Sequence, residues 1–354
     1  MIKIIENIDV LKTFRDEWNE IYRNSLNPTP FQTFDYVCHA WEYVADHAKQ
    51  LYIIVNIRQK DKKTLGVVPC YIDERNTLRF INDLHTDFCD IILRSDSIAD
   101  YHMWSEISDS IIACDSIQKV NFTNLRSSSY LISNLKYFLN PSVVYSNNAY
   151  TTCFLSLIDA SQPVTDALVF LRSKERARLK NVYTKINADK LCVYDVNEGR
   201  AFPNHIVAEM VKQMVESGWR TYQYFNERMI TLFRCLYDAG LLQIHLTQKD
   251  NSILAANFWL YDKDMTEYID WIAIYMDKER NLDNLLQSIH YIAQQGGNVN
   301  FGRGTYKYKM HNFRPQIHNL YTLRWSRSLP GQIGDLFAMN LYQLKQIVKK
   351  IIRK

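Results

Sequence analysis

The order of helices and strands that the sequence predicts occurs twice along the 354-residue chain. Each half begins with two amphipathic helices, continues with a β-hairpin and a further strand, and ends with a helix and a strand. The predicted helices span residues 8–24, 33–47 and 100–114 in the first half, and 203–216, 226–239 and 283–295 in the second. The two copies share no obvious sequence identity, so the repeat is one of topology. The sequence therefore predicts an α/β (α+β) protein of two tandem domains, each a mixed twisted sheet flanked by helices.

The predicted domain boundaries follow from this repeat. The predicted parts are an N-terminal domain (1–150), a connecting strand and basic helix (151–200), a C-terminal domain (201–330) and an amphipathic helix (331–354). The basic stretch 172–185 is interpreted as a solvated connecting helix, with a site for substrate phosphates as the alternative. For the C-terminal helix, docking on the body of the protein is preferred, and weak contact with a membrane surface is the alternative.

Charge and cysteine usage restrict the partners and the compartment. The net charge is only +4, from 42 basic and 38 acidic residues, so no nucleic-acid partner is expected. The cysteines number seven and form no C-x-x-C pair, which is typical of buried thiols in a reducing compartment. The first residues lack the apolar core of a signal peptide, and no run approaches the roughly 18 apolar residues that span a bilayer. We therefore expect a cytoplasmic protein without a transmembrane segment.

Common catalytic motifs are absent from the sequence. The metalloprotease pattern H-E-x-x-H, the hydrolase pattern G-x-S-x-G, the P-loop pattern and the dinucleotide-binding pattern G-x-G-x-x-G do not occur. The nine histidines are dispersed along the chain, so we expect no metal site. The corresponding enzyme classes are disfavoured.

The glycines are concentrated in one short segment of the second half. Four of the ten, Gly296, Gly297, Gly302 and Gly304, fall within nine residues. The first two can end the preceding helix, and the second two follow a short predicted strand, where missing side chains let the backbone approach a ligand. Phenols and cations come directly afterwards, at Tyr306, Lys307, Tyr308, Lys309 and Arg314. A bulged loop with surface aromatic residues is the alternative interpretation.

Four motifs together resemble a known family. The segment NFGRGTYKYKMHNF (300–313) resembles the C-terminal signature of the GNAT-superfamily acetyltransferases associated with cellulose and other polysaccharide biosynthesis. NPTPFQTFDYVCHAW (27–41), LRFINDLHTDFCDIIL (78–93) and LRSKERARLKNV (171–182) resemble further motifs of that family, in the same order. At a greater distance, the chain resembles the Fem-type aminoacyl transferases, which also have tandem GNAT-like domains.

The resemblance implies an N-acyltransferase. The acyl group, acetyl in the first instance, would pass from CoA to an amine of a sugar or polysaccharide precursor. Acetyl-CoA or another acyl-CoA would be the co-substrate, and the acceptor would be a small molecule or a sugar. The C-terminal domain would hold the acyl-CoA, and the N-terminal domain would be structural and shape the substrate site.

The GNAT resemblance places the donor site on one strand and the helix after it. A GNAT fold splays two strands so that the pantetheine arm pairs with exposed main chain, and a main-chain N–H stabilises the oxyanion. By topology this edge is formed by Ile272, Ala273, Ile274 and Tyr275. The loop that follows and the next helix N-terminus would hold the pyrophosphate. The candidate side chains there are Lys278, Arg280, Asn281 and Asn284.

The same strand supplies the candidate general base. An amine nucleophile needs a carboxylate or a histidine within hydrogen-bond reach, and Asp270 is the leading candidate. An ion pair between Asp270 and Arg303 is the alternative. Tyr306 or Tyr308 is a candidate for protonating the leaving thiolate, with a structural role as the alternative. Arg303 and Lys309 are further candidates for substrate binding.

Two other groups are candidates for contact with the acceptor. Asp87 and Asp90 match the family's acidic element and are expected to line a cleft between the domains; capping a strand is the alternative. Trp219 and Tyr222 belong to an aromatic cluster suited to stacking on a sugar, and filling the gap between the two halves is the alternative.

One part of the sequence departs from the GNAT pattern. No glycine opens the segment 280–283, and Asp283, at the predicted helix start, would repel a phosphate. Two further hypotheses therefore stay open. One is a Fem-like aminoacyl transferase, and the other is a catalytically inactive binding protein in polysaccharide assembly.

Overall fold

The structure, a computed structural model, describes most of the chain. The described residues are 1–153, 161, 172–186, 191–218, 221, 225–249, 252–264, 266–275 and 278–352. The helices are α1 (Ile8–Lys12), α2 (Arg15–Arg23), α3 (Phe34–Val44), α4 (Tyr101–Ala113), α5 (Tyr130–Ser133), α6 (Ser173–Ile186), α7 (Asn204–Glu216), α8 (Glu227–Asp238), α9 (Lys278–Gln294), α10 (Lys307–Phe313) and α11 (Leu329–Ile352). The strands are β1 (Ile2–Ile5), β2 (Ala48–Ile57), β3 (Thr64–Asp73), β4 (Thr77–Phe80), β5 (Ile92–Leu93), β6 (Lys119–Arg126), β7 (Val143–Cys153), β8 (Cys192–Tyr194), β9 (Leu242–Lys249), β10 (Ser252–Tyr261), β11 (Glu267–Tyr275), β12 (Asn298–Arg303) and β13 (Gln316–Ser326).

The chain forms two compact units. Unit 1 contains residues 1–149 together with 319–354, and unit 2 contains residues 150–318. Most of β13 and all of α11 thus belong to unit 1, whereas the predicted C-terminal domain ran to residue 330. Helix α6, predicted as a solvated connector, belongs to unit 2, where Leu179 is buried in a cluster with Leu285 and Ile289.

Unit 1 is a mostly antiparallel sheet covered by helices. Its strands lie in the order β1-β2-β3-β4-β6-β13, and β5 pairs with β3. A large apolar cluster includes Trp104 of α4 and Phe122 of β6. The predicted helix 8–24 is two helices, because the backbone at Phe14 leaves the helical region between α1 and α2. Asn7 caps α1 by accepting a hydrogen bond from the main-chain N of Asp9.

Unit 2 repeats this plan. Its strands lie in the order β7-β12-β11-β10-β9-β8, with residues 150–153 of β7 in this unit. Among the described strands of unit 2, only the pair of β11 and β12 is parallel. Helix α9 packs on one face of the sheet, where Trp259 joins the apolar cluster of that helix. Helix α8 packs on the other face, where Phe233 stacks on Phe258. The predicted α/β class, with mixed sheets flanked by helices, is confirmed.

Most of the predicted helices occur within a few residues of their predicted ends. The main difference lies at α9, which begins at Lys278 and not near Asp283. In the described part of the chain, no helix is long and apolar enough to cross a bilayer. Helix α11 docks on unit 1 through polar groups, since Gln332 and Asp335 bond Ser326. The docking that the sequence predicted does not bury the apolar face of the helix: Phe337 on that face is 69% exposed.

Candidate functional site

The two parallel strands of unit 2 separate after three residue pairs. Strands β11 and β12 pair from Glu267 with Asn298 to Ile269 with Asn300. Beyond Ile269, within the described residues, β11 pairs with β10 alone up to Tyr275. Every second residue of this stretch directs its main-chain N–H and C=O away from β10. The structure thus contains a splayed strand pair with an open main-chain edge at 270–275.

A β-bulge lies at the point where the strands separate. Phe258 pairs with Ile272 while Trp259 pairs with Asp270, so Trp271 is the extra residue of β11. Bulges locally redirect a strand and leave main-chain groups unpaired, and they occur often beside active sites. The ring of Trp271 packs edge-on against Phe233, with ring centroids 5.7 Å apart, and this contact anchors the bulge.

The candidate base Asp270 lies at the first position of the open edge. Its side chain is 7% exposed, and its Oδ1 accepts a hydrogen bond from Asn257 Nδ2 at 2.9 Å. Asn257 is fully buried on β10 and holds the carboxylate in a fixed orientation. Asn257 was not predicted as a site residue, because its partner Asp270 lies on the neighbouring strand.

The predicted pantetheine edge coincides with the open stretch of β11. Ile272 and Ile274 direct their side chains into the core, while Ala273 and Tyr275 are partly exposed. The donor contact proposed for these residues involves main-chain atoms, so burial of their side chains does not oppose it.

The predicted pyrophosphate loop is largely helical. Only residues 276 and 277 separate β11 from α9, so Arg280 and Asn281 lie in the first turn of the helix. The side chain of Lys278 lies outside the described part. Arg280 is partly buried, and Asn281 is 6% exposed. The main-chain N–H groups at the start of α9 are the remaining candidates for anion contact.

Asn284 is a structural residue and not a donor ligand. Its side chain is fully buried, and its Nδ2 donates to the main-chain O of His245 at 2.9 Å and of Ala255 at 3.2 Å. These bonds attach α9 to β9 and β10, so the predicted role in cofactor binding is wrong. The neighbouring Asp283 is also buried, and burial raises its pKa to about 6.

The glycine-rich segment forms a tight bend at the end of β12. Gly302 and Gly304 have φ angles of 64° and 96°, which favour glycine. A Cβ atom on Gly304 would lie 2.6 Å from the ring of Tyr306, so the bend requires this glycine. The side chain of Asn300 accepts a hydrogen bond from the main-chain N of Gly302 at 2.9 Å. The bend thereby directs the chain away from β11 at the splay.

Lys309 stabilises this bend. Its side chain is 3% exposed, and its ammonium donates to the main-chain O of Phe301 and of Arg303. The same ammonium lies over the ring of Tyr306, at 5.2 Å from the centroid. The predicted role of Lys309 in binding substrate is therefore wrong, because its ammonium serves main-chain carbonyls. Arg303 is the last residue of β12 and partly exposed.

The two candidate tyrosines follow the bend. Tyr306 is 60% exposed and precedes α10, and Tyr308 is partly buried beside the apolar cluster of α9. Their rings lie nearly parallel, with an interplanar angle of 12° and centroids 6.2 Å apart. Of the two side chains, that of Tyr306 is the more exposed to solvent.

The acidic candidates of the first half lie inside unit 1. Asp87 and Asp90 are each 6% exposed. Asp90 Oδ1 accepts hydrogen bonds from Ser129 Oγ at 2.8 Å and from the main-chain N of Ile91 at 2.9 Å. Burial raises the pKa of Asp90 to about 6. The bond from Ile91, directly before β5, matches for Asp90 the alternative in which the residue caps a strand. The aromatic candidates Trp219 and Tyr222 lie outside the described residues.

A buried polar layer under α9 was not predicted. Gln243, His245 and Thr247 alternate with apolar residues on β9, and this alternation is typical of an exposed polar face. In the structure this face lies under α9, and burial lowers the pKa of His245 to about 3. Among the described residues, no group of three or more acidic, histidine or cysteine side chains could hold a metal ion.

Comparisons with known proteins define the fold. No protein-family model and no curated protein matches the sequence. Solved structures match over nearly the whole chain, and they place this protein in the tandem GNAT fold. The fold implied by the sequence resemblance is thus confirmed, whereas the cellulose-associated type is not shown.

The matching structures are distant in sequence. FemX has a TM-score of 0.58 at 10% identity and covers 97% of this chain and 99% of its own. The C-terminal domain of a protein assigned as a lysylphosphatidylglycerol synthetase, from Agrobacterium fabrum, has a TM-score of 0.56 at 10% identity, with 94% and 97% covered. A tandem GNAT protein from the clavulanic acid biosynthesis pathway has a TM-score of 0.52 at 6% identity, with 93% and 99% covered.

Proposed function

We propose that this chain is an acyltransferase that transfers an acyl group from acyl-CoA to an amine, with the donor bound along β11 of unit 2. The observation that carries the proposal is the open edge at 270–275, which coincides with a bulge and with a buried carboxylate. A pantetheine arm is an extended amide chain, and extended amides pair with such an edge as an added strand would. Acyl transfer through a tetrahedral oxyanion needs fixed N–H donors, which a bulged edge supplies.

The reaction forms an amide and releases a thiol. The nitrogen of the acceptor attacks the thioester carbonyl, and the carbonyl oxygen becomes an oxyanion that accepts hydrogen bonds from β11 main-chain N–H groups. The C–S bond then breaks as the carbonyl re-forms. The attacking amine gives a proton to Asp270, directly or through water, and the leaving thiolate receives a proton from the phenol of Tyr306. No redox step and no metal ion is needed for this balance.

The remaining site residues have supporting roles in the proposal. Asn257 orients Asp270, and Arg303 contacts the acceptor at the end of β12. The first turn of α9 contacts the pyrophosphate through main-chain N–H groups, with Arg280 adding positive charge. The acceptor class, an amino sugar or polysaccharide precursor, rests on the sequence resemblance, and Trp219 and Tyr222 are proposed to stack on it.

A second candidate is transfer of an aminoacyl group from a donor other than CoA. The observation that favours it is the sequence of the predicted pyrophosphate loop, in which Asp277, Glu279 and Asp283 are acidic and no glycine is present. The name of the Agrobacterium fabrum protein refers to lysyl transfer, and the sequence resemblance included Fem-type aminoacyl transferases. The chemistry at the splay would be the same, and only the donor would differ.

The test is a thermal-shift titration of the full chain with acetyl-CoA and with free CoA. A ligand at about 100 times its dissociation constant adds roughly 2.7 kcal/mol to the free energy of unfolding, so binding raises Tm by several degrees. Turnover is then measured as thiol release in the presence of amino sugars. The proposal expects a Tm shift with both ligands and thiol release that depends on the amine.

The control separates donor binding from chemistry. Asp270→Asn should keep the Tm shift and lose thiol release, because the variant removes the base but leaves the main-chain edge intact. A wild-type chain with no shift at millimolar CoA would refute the acyl-CoA proposal and favour the aminoacyl donor. A shift without thiol release from any amine would favour an inactive binding protein.

A further inference from the structure

Helix α11 presents an apolar face to solvent. The exposed apolar side chains of this face are Leu329, Ile333, Leu336, Phe337, Leu341, Leu344 and Val348. Their exposed fractions run from 41% to 69%. They recur at spacings of three, four and seven residues, so they form one continuous stripe along the helix. A surface helix ordinarily buries such a stripe against its own protein.

The opposite face of α11 attaches the helix to unit 1. Gln332 Nε2 donates to the main-chain O of Ser326 at 3.1 Å, and Asp335 accepts from Ser326 Oγ at 2.7 Å. About two turns after Asp335, the ring of Tyr342 packs on that of Tyr145, with ring centroids 5.7 Å apart. Gln332, Asp335 and Tyr342 lie three and seven residues apart and share a face. The orientation is therefore fixed by polar and aromatic contacts, with the apolar stripe outward.

The charge of this segment is strongly one-sided. From residue 336 to residue 354 the sequence has no Asp or Glu. Its basic residues are Lys345, Lys349, Lys350, Arg353 and Lys354. The acidic residue just before this segment, Asp335, is engaged by Ser326 and lies 3.9 Å from Arg324. Lys345 is exposed, so a partner that covers the apolar stripe meets this cation and a segment whose sequence has only basic charges.

We propose that the outward face of α11 binds the surface of a bilayer that contains anionic lipids. The stripe extends over about 30 Å of helix, at about 1.5 Å per residue, and is amphipathic without being apolar enough to span a bilayer. Such a helix lies in the interface with its apolar side chains among the acyl chains and its cations near the headgroups. This placement would hold the protein at a membrane surface.

Charge disfavours a second copy of the chain as the occupant. If two α11 helices packed through their stripes in parallel, the basic ends would meet. In the antiparallel arrangement, each basic end would face the start of the other helix. The acidic residue there, Asp335, lies on the face opposite the stripe and is bonded to Ser326, so it does not face the basic end. An anionic lipid surface satisfies the apolar and the electrostatic requirements together.

The test is co-sedimentation of the full chain with vesicles. One set contains equal parts of phosphatidylglycerol and phosphatidylcholine, and the other contains phosphatidylcholine alone. The proposal expects binding to the anionic vesicles, much weaker binding to the neutral ones, and release as salt is raised. Phe337→Glu combined with Leu344→Glu should weaken binding at least about tenfold, and Lys345→Gln about fivefold.

A matched control shows that the effect belongs to α11. Leu26→Glu also replaces a largely exposed leucine in unit 1, at 62% exposure, and should bind vesicles like the wild type. Because all the replaced side chains are exposed, Tm should stay within a few degrees of the wild-type value. Equal binding by the Phe337/Leu344 double variant, or no binding by the wild type, would overturn the proposal. If light scattering without lipid showed a dimeric wild type and a monomeric double variant, the stripe would be a self-association surface and the proposal would be overturned.

Discussion

Each unit contains a parallel strand pair that separates after a few residues. The chain fills the gap between the two strands in unit 1, whereas it leaves a main-chain edge of β11 open in unit 2 among the described residues. In unit 1, β4 and β6 pair only at Thr77 with Lys119 and Leu78 with Val120. The segment 81–91 then lies between the separating strands. In unit 2, β11 continues to Tyr275 with β10 as its partner among the described residues.

Asn124 holds the unit 1 segment in place. Its side-chain Nδ2 donates to the main-chain O of Asp83 at 3.0 Å and of Thr86 at 2.9 Å. Its main-chain O accepts a hydrogen bond from the main-chain N of Cys89 at 3.1 Å. Gly66 allows β5, which follows the segment, to approach β3 closely, since a Cβ there would lie 2.4 Å from the side chain of Leu93. The chain itself thus occupies the position at which a donor is proposed to lie in unit 2.

The layers beneath the helices differ as well. In unit 1, α4 buries Met103, Trp104, Ile107 and Ile111 together with one polar residue, Ser108. In unit 2, α9 buries Asn281, Asp283, Asn284, Gln287 and Ser288 as well as apolar residues. A buried polar layer fixes the helix in one register when its groups are satisfied, and it is destabilising where they are not. This difference supports the proposal that the donor site lies in unit 2 and not in unit 1.

Removing the anchor in unit 1 is expected to have the largest effect. Asn124→Ala leaves two buried carbonyls without a donor and places alanine at a φ of 59°, so we expect a loss of about 3 kcal/mol in unfolding free energy. Glycine adopts that φ without strain, so Asn124→Gly should lower the free energy of unfolding by about 1 kcal/mol less than Asn124→Ala. Urea titration measures both. If the alanine variant were as stable as the wild type, Asn124 would not anchor the segment. If the folded alanine variant failed to bind CoA, unit 1 would take part in donor binding.

Removing the proposed base in unit 2 should impair catalysis and spare the fold. We expect Asp270→Asn to lower kcat at least about 100-fold, because general base catalysis contributes roughly that much. Tm should change by a few degrees at most, since the amide oxygen can still accept from Asn257. Asp264→Asn, in an exposed turn of the same unit, is the control and should be fully active. An active Asp270→Asn enzyme would show that the base lies elsewhere.

The buried histidine of unit 2 should make stability depend on pH. Burial lowers the pKa of His245 to about 3, so the unfolded chain takes up a proton below about pH 6.5 that the folded chain refuses. Stability from this residue is complete above that pH and falls by about 2 kcal/mol on acidification to pH 5. His245→Gln should flatten the curve between pH 5 and 7, as measured by urea unfolding at each pH. An unchanged slope would mean that the imidazole is charged in the folded state.

The buried Asp283 should act in the opposite direction with a smaller effect. Burial raises its pKa to about 6, so the folded chain holds a proton that the unfolded chain releases, and stability falls as pH rises from about 4 to 6. Asp283→Asn should raise the free energy of unfolding by about 1 kcal/mol at pH 7, because a buried charge is removed. The gain is partly offset by the loss of the attraction between the carboxylate and Arg280. Asp109→Asn, on the exposed side of α4, should change little. Destabilisation by Asp283→Asn at pH 7 would contradict this account.

The sequence predicted the elements better than it predicted the roles of polar residues. Periodicity reports which face of an element is buried, so the order of helices and strands and the positions of α7 and α8 followed from it. It fails where a polar face is buried by a distant element, as at His245, and where a cation serves main-chain carbonyls, as at Lys309. The start of α9 was placed late because its first four residues, 278–281, are all polar.

The central claim is that the open edge of β11 holds the donor, and hydrogen–deuterium exchange with and without acetyl-CoA tests it most directly. The account predicts slower exchange in peptides that cover residues 270–280 and unchanged exchange in peptides that cover 77–93 and 119–126 of unit 1. Protection confined to the unit 1 peptides, or no protection of 270–280 at saturating acetyl-CoA, would contradict it.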